Sequence, residues 1–182
     1  MKMVIGHDFD DASWKMNGSR ILEEYASDIN LEIVQVDENF SSEPCYVWNF
    51  LYKTYIDEFD YFFQTGDDIE YLGPFLAPMV HSLQQRVCPD IGVVGPRDES
   101  LYWSREVLTQ TMVSRKHYKI FHYLFPPEFR NWYGDFWIAN VYIGISKCPD
   151  AFQMLGDIKV VNPNRTTRRY NDSVIFIFEI KK

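Results

Sequence analysis

Over the first hundred residues, short apolar runs alternate with longer stretches of helical spacing. The opening MKMVIGHDFDD carries an apolar run at residues 3–5, then Gly6 and a cluster of acids, which predicts a first strand ending at Asp8. GSRILEEYAS places Ile21, Leu22, Tyr25 and Ala26 at helical spacing, and LEIVQVDENF sets Leu31, Ile33, Val34 and Val36 ahead of Asp37. The prediction is strand, helix, strand. Pro44 then opens a second helix through CYVWNFLYKTYIDEF, because a proline in the first turn gives up only an N–H that has no partner there. A third strand follows over residues 61–64, a helix in LGPFLAPMVHSLQQR, and a fourth strand in IGVVGPRDE closed by Gly95 and Pro96.

Strands alternating with helices of this length predict βαβ units, hence an α/β fold with a mainly parallel central sheet flanked by helices on both faces. Past Arg97 the aromatic-rich segment 108–146 has no clean period, and VIFIFEIKK predicts a closing strand. At 182 residues the chain suits a single domain spanning 1–182; its apolar end, lacking an obvious cap, fits one domain of a longer enzyme.

Composition narrows the partners. With 46% hydrophobic residues the chain can build a real core, and its net charge of -8 argues against nucleic acid, whose binding needs clustered Lys and Arg to release counterions. No apolar run is long enough for a membrane segment, which predicts a cytoplasmic protein. Cys45, Cys88 and Cys148 are far apart, odd in number and without metal-type spacing, so all three are expected as buried thiols in a reducing compartment. Aromatic content of 17% exceeds what a core demands, and exposed Trp and Tyr make platforms for sugar rings or bases.

The pattern that carries chemistry is the acid at each strand end: Asp8 and Asp10, then Asp37, then Asp67 and Asp68 in YFFQTGDDIEYLGPF. In an open parallel sheet ligands bind beyond the carboxyl ends of the strands, so these acids should share one edge. Left alone they would repel one another and resist desolvation, and a hard divalent cation such as Mg²⁺ or Mn²⁺, completed by phosphate oxygens, would relieve both costs. Taken singly, each acid is as well explained by a turn or a helix cap. There is no P-loop and no G-x-G-x-x-G after the first strand, which disfavours P-loop kinases and ordinary dinucleotide dehydrogenases.

These residues resemble the GT-A fold of nucleotide-sugar glycosyltransferases over about residues 1–145. FFQTGDDIE is similar to that family's D-x-D metal motif, with Gly66 where its first acid would fall, and NWYGDFWI (131–138) is similar to its acidic segment beside the acceptor. The whole chain bears a weaker resemblance to glycosyltransferase domains of large viruses of green algae (chlorella viruses), which work in the host cytoplasm. The resemblance implies a Rossmann-like nucleotide half and Mn²⁺ or Mg²⁺ held by Asp68 with Asp67 in support. It further implies nucleotide contacts from Gly6, His7, Asp8, Asp37, Asn49 and Asp67, and Asp135 as the catalytic base if transfer inverts configuration, or as a group positioning the donor sugar if transfer retains it. The donor would be a UDP-sugar and the acceptor a hydroxyl of a glycan or glycoprotein. The alternative for Asp135 is a helix-capping role beside buried Trp132 and Trp137. His117 and His122 are left outside the metal site, and the basic NRTTRRY (164–170) suits either a loop closing over a diphosphate or a solvated surface.

Two rival readings use the same residues. MVIGHDFDD followed by FFQTGDD also fits a haloacid-dehalogenase-like, Mg²⁺-dependent phosphatase with Asp8 as nucleophile and Asp10 as acid/base. Gly66 and the single acid at Asp135 fit an inactive domain that binds a nucleotide or glycan.

Overall fold

The computed structural model describes residues 1–9, 11–25, 30–37, 43–100, 107–163 and 174–180. Asp10 and the NRTTRRY segment lie outside the described residues. In chain order the elements are β1 (Lys2–His7), α1 (Ala12–Tyr25), β2 (Leu31–Gln35), α2 (Pro44–Tyr55), β3 (Tyr61–Gly66), β4 (Glu70–Tyr71), α3 (Leu76–Gln84), β5 (Val93–Asp98), β6 (Thr111–Ser114), α4 (Arg115–Phe121), α5 (Gly134–Tyr142), β7 (Phe152–Val161) and β8 (Val174–Ile180).

The eight strands among the described residues join one sheet in the order β2-β1-β8-β3-β6-β5-β7-β4. The sheet is mixed, which corrects the expectation of a mainly parallel one. Among the described residues only the β1–β2 and β5–β7 pairings are parallel; β1–β8, β8–β3, β3–β6, β6–β5 and β7–β4 are antiparallel. The reason is insertion. β8 lies between β1 and β3, and β6 between β3 and β5, each running against both neighbours. Each insertion reverses direction twice, so β1, β2, β3, β5 and β7 still point the same way and their carboxyl ends share one edge.

Helices cover both faces at the centre. Phe62 of β3, Val93 of β5 and Val113 of β6 pack with Val47, Leu51, Tyr52, Ile138 and Tyr142 from α2 and α5. Their neighbours along the strands, Tyr61, Phe63, Val94 and Met112, pack with Met79 and Leu83 of α3 on the other face. A strand buried on both sides must be apolar throughout, which is why YFF is continuous rather than alternating. Gln64 and Thr65 are the polar exceptions in β3, and both are buried too.

The cysteines also depart from expectation. Cys88 and Cys148, 60 residues apart, form a disulfide with Cα atoms 5.6 Å apart. It ties the turn after α3 to the segment entering β7, where Val87 N–H donates to Asp150 Oδ2 at 3.0 Å and the Arg86 guanidinium donates to the carbonyls of Ala151 and Val93 at 2.6 and 2.9 Å. Cys45 is the buried thiol that was expected; burial, reinforced by the nearby Asp135 charge, pushes its pKa up to about 12. Among the described residues, no helix is long and apolar enough to cross a membrane.

Candidate functional site

The acidic strand ends lie along one edge of the sheet, with β8 separating those of β1 and β2 from that of β3. Val36 N–H donates to the His7 carbonyl at 2.9 Å, so the chain leaves β1 and β2 side by side, with Asp8 and Asp37 one residue further on. Asp8 is buried at 1% exposure, while Asp37 and Asp67 face solvent. The first-turn cap of α1 comes from Asp11, whose Oδ1 accepts from Trp14 N–H at 3.1 Å.

Beyond β3 the two acids of GDD differ in setting. Asp68 is half-buried and its Oδ2 accepts from Asn162 Nδ2 at 2.6 Å, joining the end of β3 to the end of β7. Gly66 makes this orientation possible. A Cβ there would lie 2.9 Å from Asp68 Oδ1, so the glycine standing where a D-x-D motif would begin is the residue that leaves room for the Asp68 carboxylate.

Three other expected nucleotide contacts take different places. Gly6 is buried against α2, where a Cβ would meet Val47 Cγ1 at 2.8 Å and Leu51 Cδ1 at 3.0 Å; its role is close strand–helix packing, not exposure to a nucleotide. His7 is buried, its Nδ1–H donating to the Asp8 carbonyl at 2.9 Å and its ring stacked on Trp14 at 5.7 Å. The Asn49 amide clamps the backbone after α4: Oδ1 accepts from Leu124 and Phe125 N–H at 2.8 and 2.9 Å, and Nδ2 donates to the Phe125 carbonyl at 2.7 Å. That clamp takes the place of the expected ribose contact.

Asp135 stands in the first turn of α5 and lines a cleft of about 170 Å³ together with Cys45, Trp48, Gln64, Thr109, Phe125, Asn131, Trp132, Tyr133 and Gly134. Burial raises the Asp135 pKa, opposed by the hydrogen bond its Oδ1 accepts from Phe136 N–H at 2.9 Å. Trp132, expected to be buried, is 61% exposed and forms the rim. Behind the cleft, Gln64 Oε1 accepts from Thr111 Oγ1 at 3.0 Å, and Thr109 Oγ1 donates to Asp98 Oδ2 at 3.0 Å, so β3, β5 and β6 are cross-linked by polar side chains.

The loop bringing Asp135 into place is built tightly. Cys45 N–H donates to the Arg130 carbonyl at 2.9 Å, and Arg130 pairs with Glu43 at 2.9 Å, pinning the loop to the start of α2. Tyr133 then adopts φ 74°, a left-handed conformation that is costly for a large side chain and persists only where the surroundings enforce it. Gly134 follows because a Cβ there would meet Phe125 Cδ1 at 2.9 Å.

His117 and His122 have structural roles. His117 is buried, with Nε2–H donating to the Leu124 carbonyl at 3.1 Å and Nδ1 accepting from Tyr142 OH at 2.8 Å; burial lowers its pKa to about 4 and keeps it neutral. His122, exposed, takes the left-handed cap position of α4.

Among the described residues no group of three or more His, Cys, Asp or Glu side chains is arranged to hold a metal ion. Asp67 and Asp68 are adjacent after β3, the first exposed and the second half-buried. Compared with protein-family models, curated proteins and solved structures, the chain finds no match.

Proposed function

We propose that the protein is a metal-dependent glycosyltransferase that moves a hexose from a nucleotide-diphosphate sugar, a UDP-sugar by family habit, to a hydroxyl of a glycan or glycoprotein. One observation carries the reading. β3 delivers Gln64 to the cleft that holds Asp135 and, three residues later, presents Asp67 and Asp68 at the carboxyl edge of the sheet. β3 thus connects the cleft lined by Asp135 of α5 with the two acids at its own end, which supports reading them as the acceptor and diphosphate ends of one site.

In this reading Asp68, steadied by Asn162, and Asp67 hold Mn²⁺ or Mg²⁺, which supplies Lewis-acid stabilisation of the departing diphosphate. Asp135 accepts the proton of the acceptor hydroxyl as it attacks the anomeric carbon, a task helped by a carboxylate whose basicity burial has raised. The phosphatase alternative is less well supported, because a nucleophile at Asp8 would have to act from a position only 1% exposed.

Calorimetric titration of UDP with and without Mn²⁺, on wild type and Asp68→Asn, tests the reading. Metal-dependent binding that the substitution abolishes is the expected result. Absence of UDP binding under both conditions, with other nucleoside diphosphates equally inert, overturns it.

A further inference from the structure

α5 is apolar almost all round: in GDFWIANVY only Asp135 and Asn140 carry a charge or an amide. A helix of that composition belongs in an interior or against another apolar surface. Yet α5 buries only one side. Ile138, Ala139 and Tyr142 are buried, while the stripe of Tyr133, Phe136, Asn140 and Ile143, spaced three or four residues apart, faces solvent, with Tyr133, Phe136 and Ile143 67%, 42% and 42% exposed. Trp137 packs on Phe121 at 5.3 Å and on Tyr123 at 5.7 Å, so α5 lies against the end of α4, where Ile120 is exposed as well.

The charge of this surface runs against that of the chain. Residues 111–148 carry five Lys and Arg against two Asp and Glu, whereas the whole chain carries 18 against 26. Lys116 and Lys119 of α4 are exposed, and with Arg115 they line a cleft of about 320 Å³. The acids beside them are engaged: Asp60 pairs with Arg115, and Asp90 accepts from Tyr61 OH at 2.5 Å and stands 4.0 Å from Lys116 Nζ. The disulfide brings a further ammonium to the same side. Lys116 Nζ donates to the Pro89 carbonyl at 2.7 Å, Pro89 follows Cys88, and Cys88 is bonded to Cys148, next to exposed Lys147.

We propose that the outer face of α4 and α5 docks on an anionic phospholipid surface. Tyr and Phe rings with isoleucines seat at the boundary between headgroups and acyl chains, and Lys and Arg around them meet lipid phosphates, which is the division of labour this face presents. A second copy of the chain fits less well, because two basic faces would repel each other. Nucleic acid fits less well too, since Ile120 and Ile143 offer neither a ring for its bases nor a charge for its phosphates.

The experiment is vesicle co-sedimentation in metal-free buffer containing chelator. It compares phosphatidylcholine alone with phosphatidylcholine containing about 30% phosphatidylserine, each at low salt and at roughly 0.5 M salt. Two double variants divide the surface: Lys116→Gln with Lys119→Gln, and Phe136→Ser with Ile143→Ser. Thermal unfolding confirms that both are folded, and velocity sedimentation without lipid reads self-association.

Wild type is expected to sediment with the anionic vesicles, not with the neutral ones, and to be released by salt. The lysine variant should bind roughly 10- to 30-fold more weakly, because each basic residue near such a surface is worth about fivefold. The serine variant should weaken binding about tenfold through lost apolar burial. The inference is overturned if neither vesicle binds, if neutral vesicles bind as well as anionic ones, or if either variant binds as wild type does. It is overturned too by a lipid-free dimer that Phe136→Ser with Ile143→Ser disperses, which would give the face to a second copy. The inference goes beyond the transferase reading and fails separately from it. UDP and Mn²⁺ binding without vesicle binding removes the membrane surface and leaves the transferase; vesicle binding without UDP binding does the reverse.

Discussion

Asn162 Nδ2 donates to Asp68 Oδ2 at 2.6 Å, so the second acid of GDD is oriented by a residue 94 positions away. The bond fixes one carboxylate oxygen and leaves the other beside Gly66. Removing it in Asn162→Ala frees the side chain to rotate. UDP affinity in the presence of Mn²⁺ is expected to fall roughly five- to tenfold by calorimetry, with little change in unfolding temperature because Asp68 is only half-buried.

Gly66→Ala tests the same carboxylate from the other side. The added methyl would lie 2.9 Å from Asp68 Oδ1, so the acid must swing away from its present position. The expected outcome is a loss of metal-dependent nucleotide binding similar to that of Asn162→Ala. The double variant should lose less than the product of the two effects, since both act on one side chain.

Asp135 separates chemistry from stability. Its carboxyl pKa is raised by burial, so its contribution to stability is largest below the ordinary carboxylate range and is lost as pH rises through the raised value. Asp135→Asn should therefore abolish transfer while leaving the protein as stable as wild type, or more so, at neutral pH by thermal unfolding. The acid limb of the wild-type pH–rate profile should fall above the ordinary carboxylate range.

His117 has the opposite sign. Its pKa is lowered to about 4 in the fold against about 6.5 when unfolded, so the unfolded chain binds more protons between those values. Stability should be fully present above about pH 6.5 and decline on acidification toward about pH 4, by on the order of 1 kcal/mol per unit. Urea denaturation at a series of pH values would show this slope, and His117→Gln should flatten it while lowering stability throughout.

The Cys88–Cys148 disulfide closes a loop of 60 residues, for which loop-closure entropy gives about 4 kcal/mol of stabilisation. Replacing both cysteines with serine, or adding reductant, should lower the denaturation free energy by roughly 2–4 kcal/mol. Cys45, buried with its pKa at about 12, should stay unreactive toward iodoacetamide in the native state.

The first half of the fold was legible because its elements keep their periods. Residues 3–5, the apolar positions of α2 and the continuous YFF of β3 each report their own burial. The second half hides its elements for local reasons. β7 follows a shift in its register with β5 between Pro96 and Arg97, which breaks the alternation a strand should show, and α5 begins from a left-handed Tyr133 with no side-chain cap. Strand order was less accessible still, since the insertion of β8 and β6 depends on contacts between distant segments.

The site divides similarly. The shared edge of Asp8, Asp37, Asp67 and Asp68 followed from where the strands stop, and Asp135 from the resemblance of NWYGDFWI to an acidic acceptor segment. Asn162, just past the end of β7, carries no motif. A sharper reading of Gln64, a lone amide within a buried aromatic run, would have pointed to the polar link behind the cleft.

The place of β8 has a consequence for how the chain is made. Residues 174–180 supply the backbone partner for facing edges of both β1 and β3, in register from Lys2–Glu179 on one side to Gly66–Ile175 on the other. During synthesis those two edges wait, open to any other strand, until residues 174–180 have been translated. Joining β1 to β3 requires threading the late-made β8 between two early strands, so native structure across the sheet centre should arrive late, and the interval before it is when aggregation and chaperone capture compete.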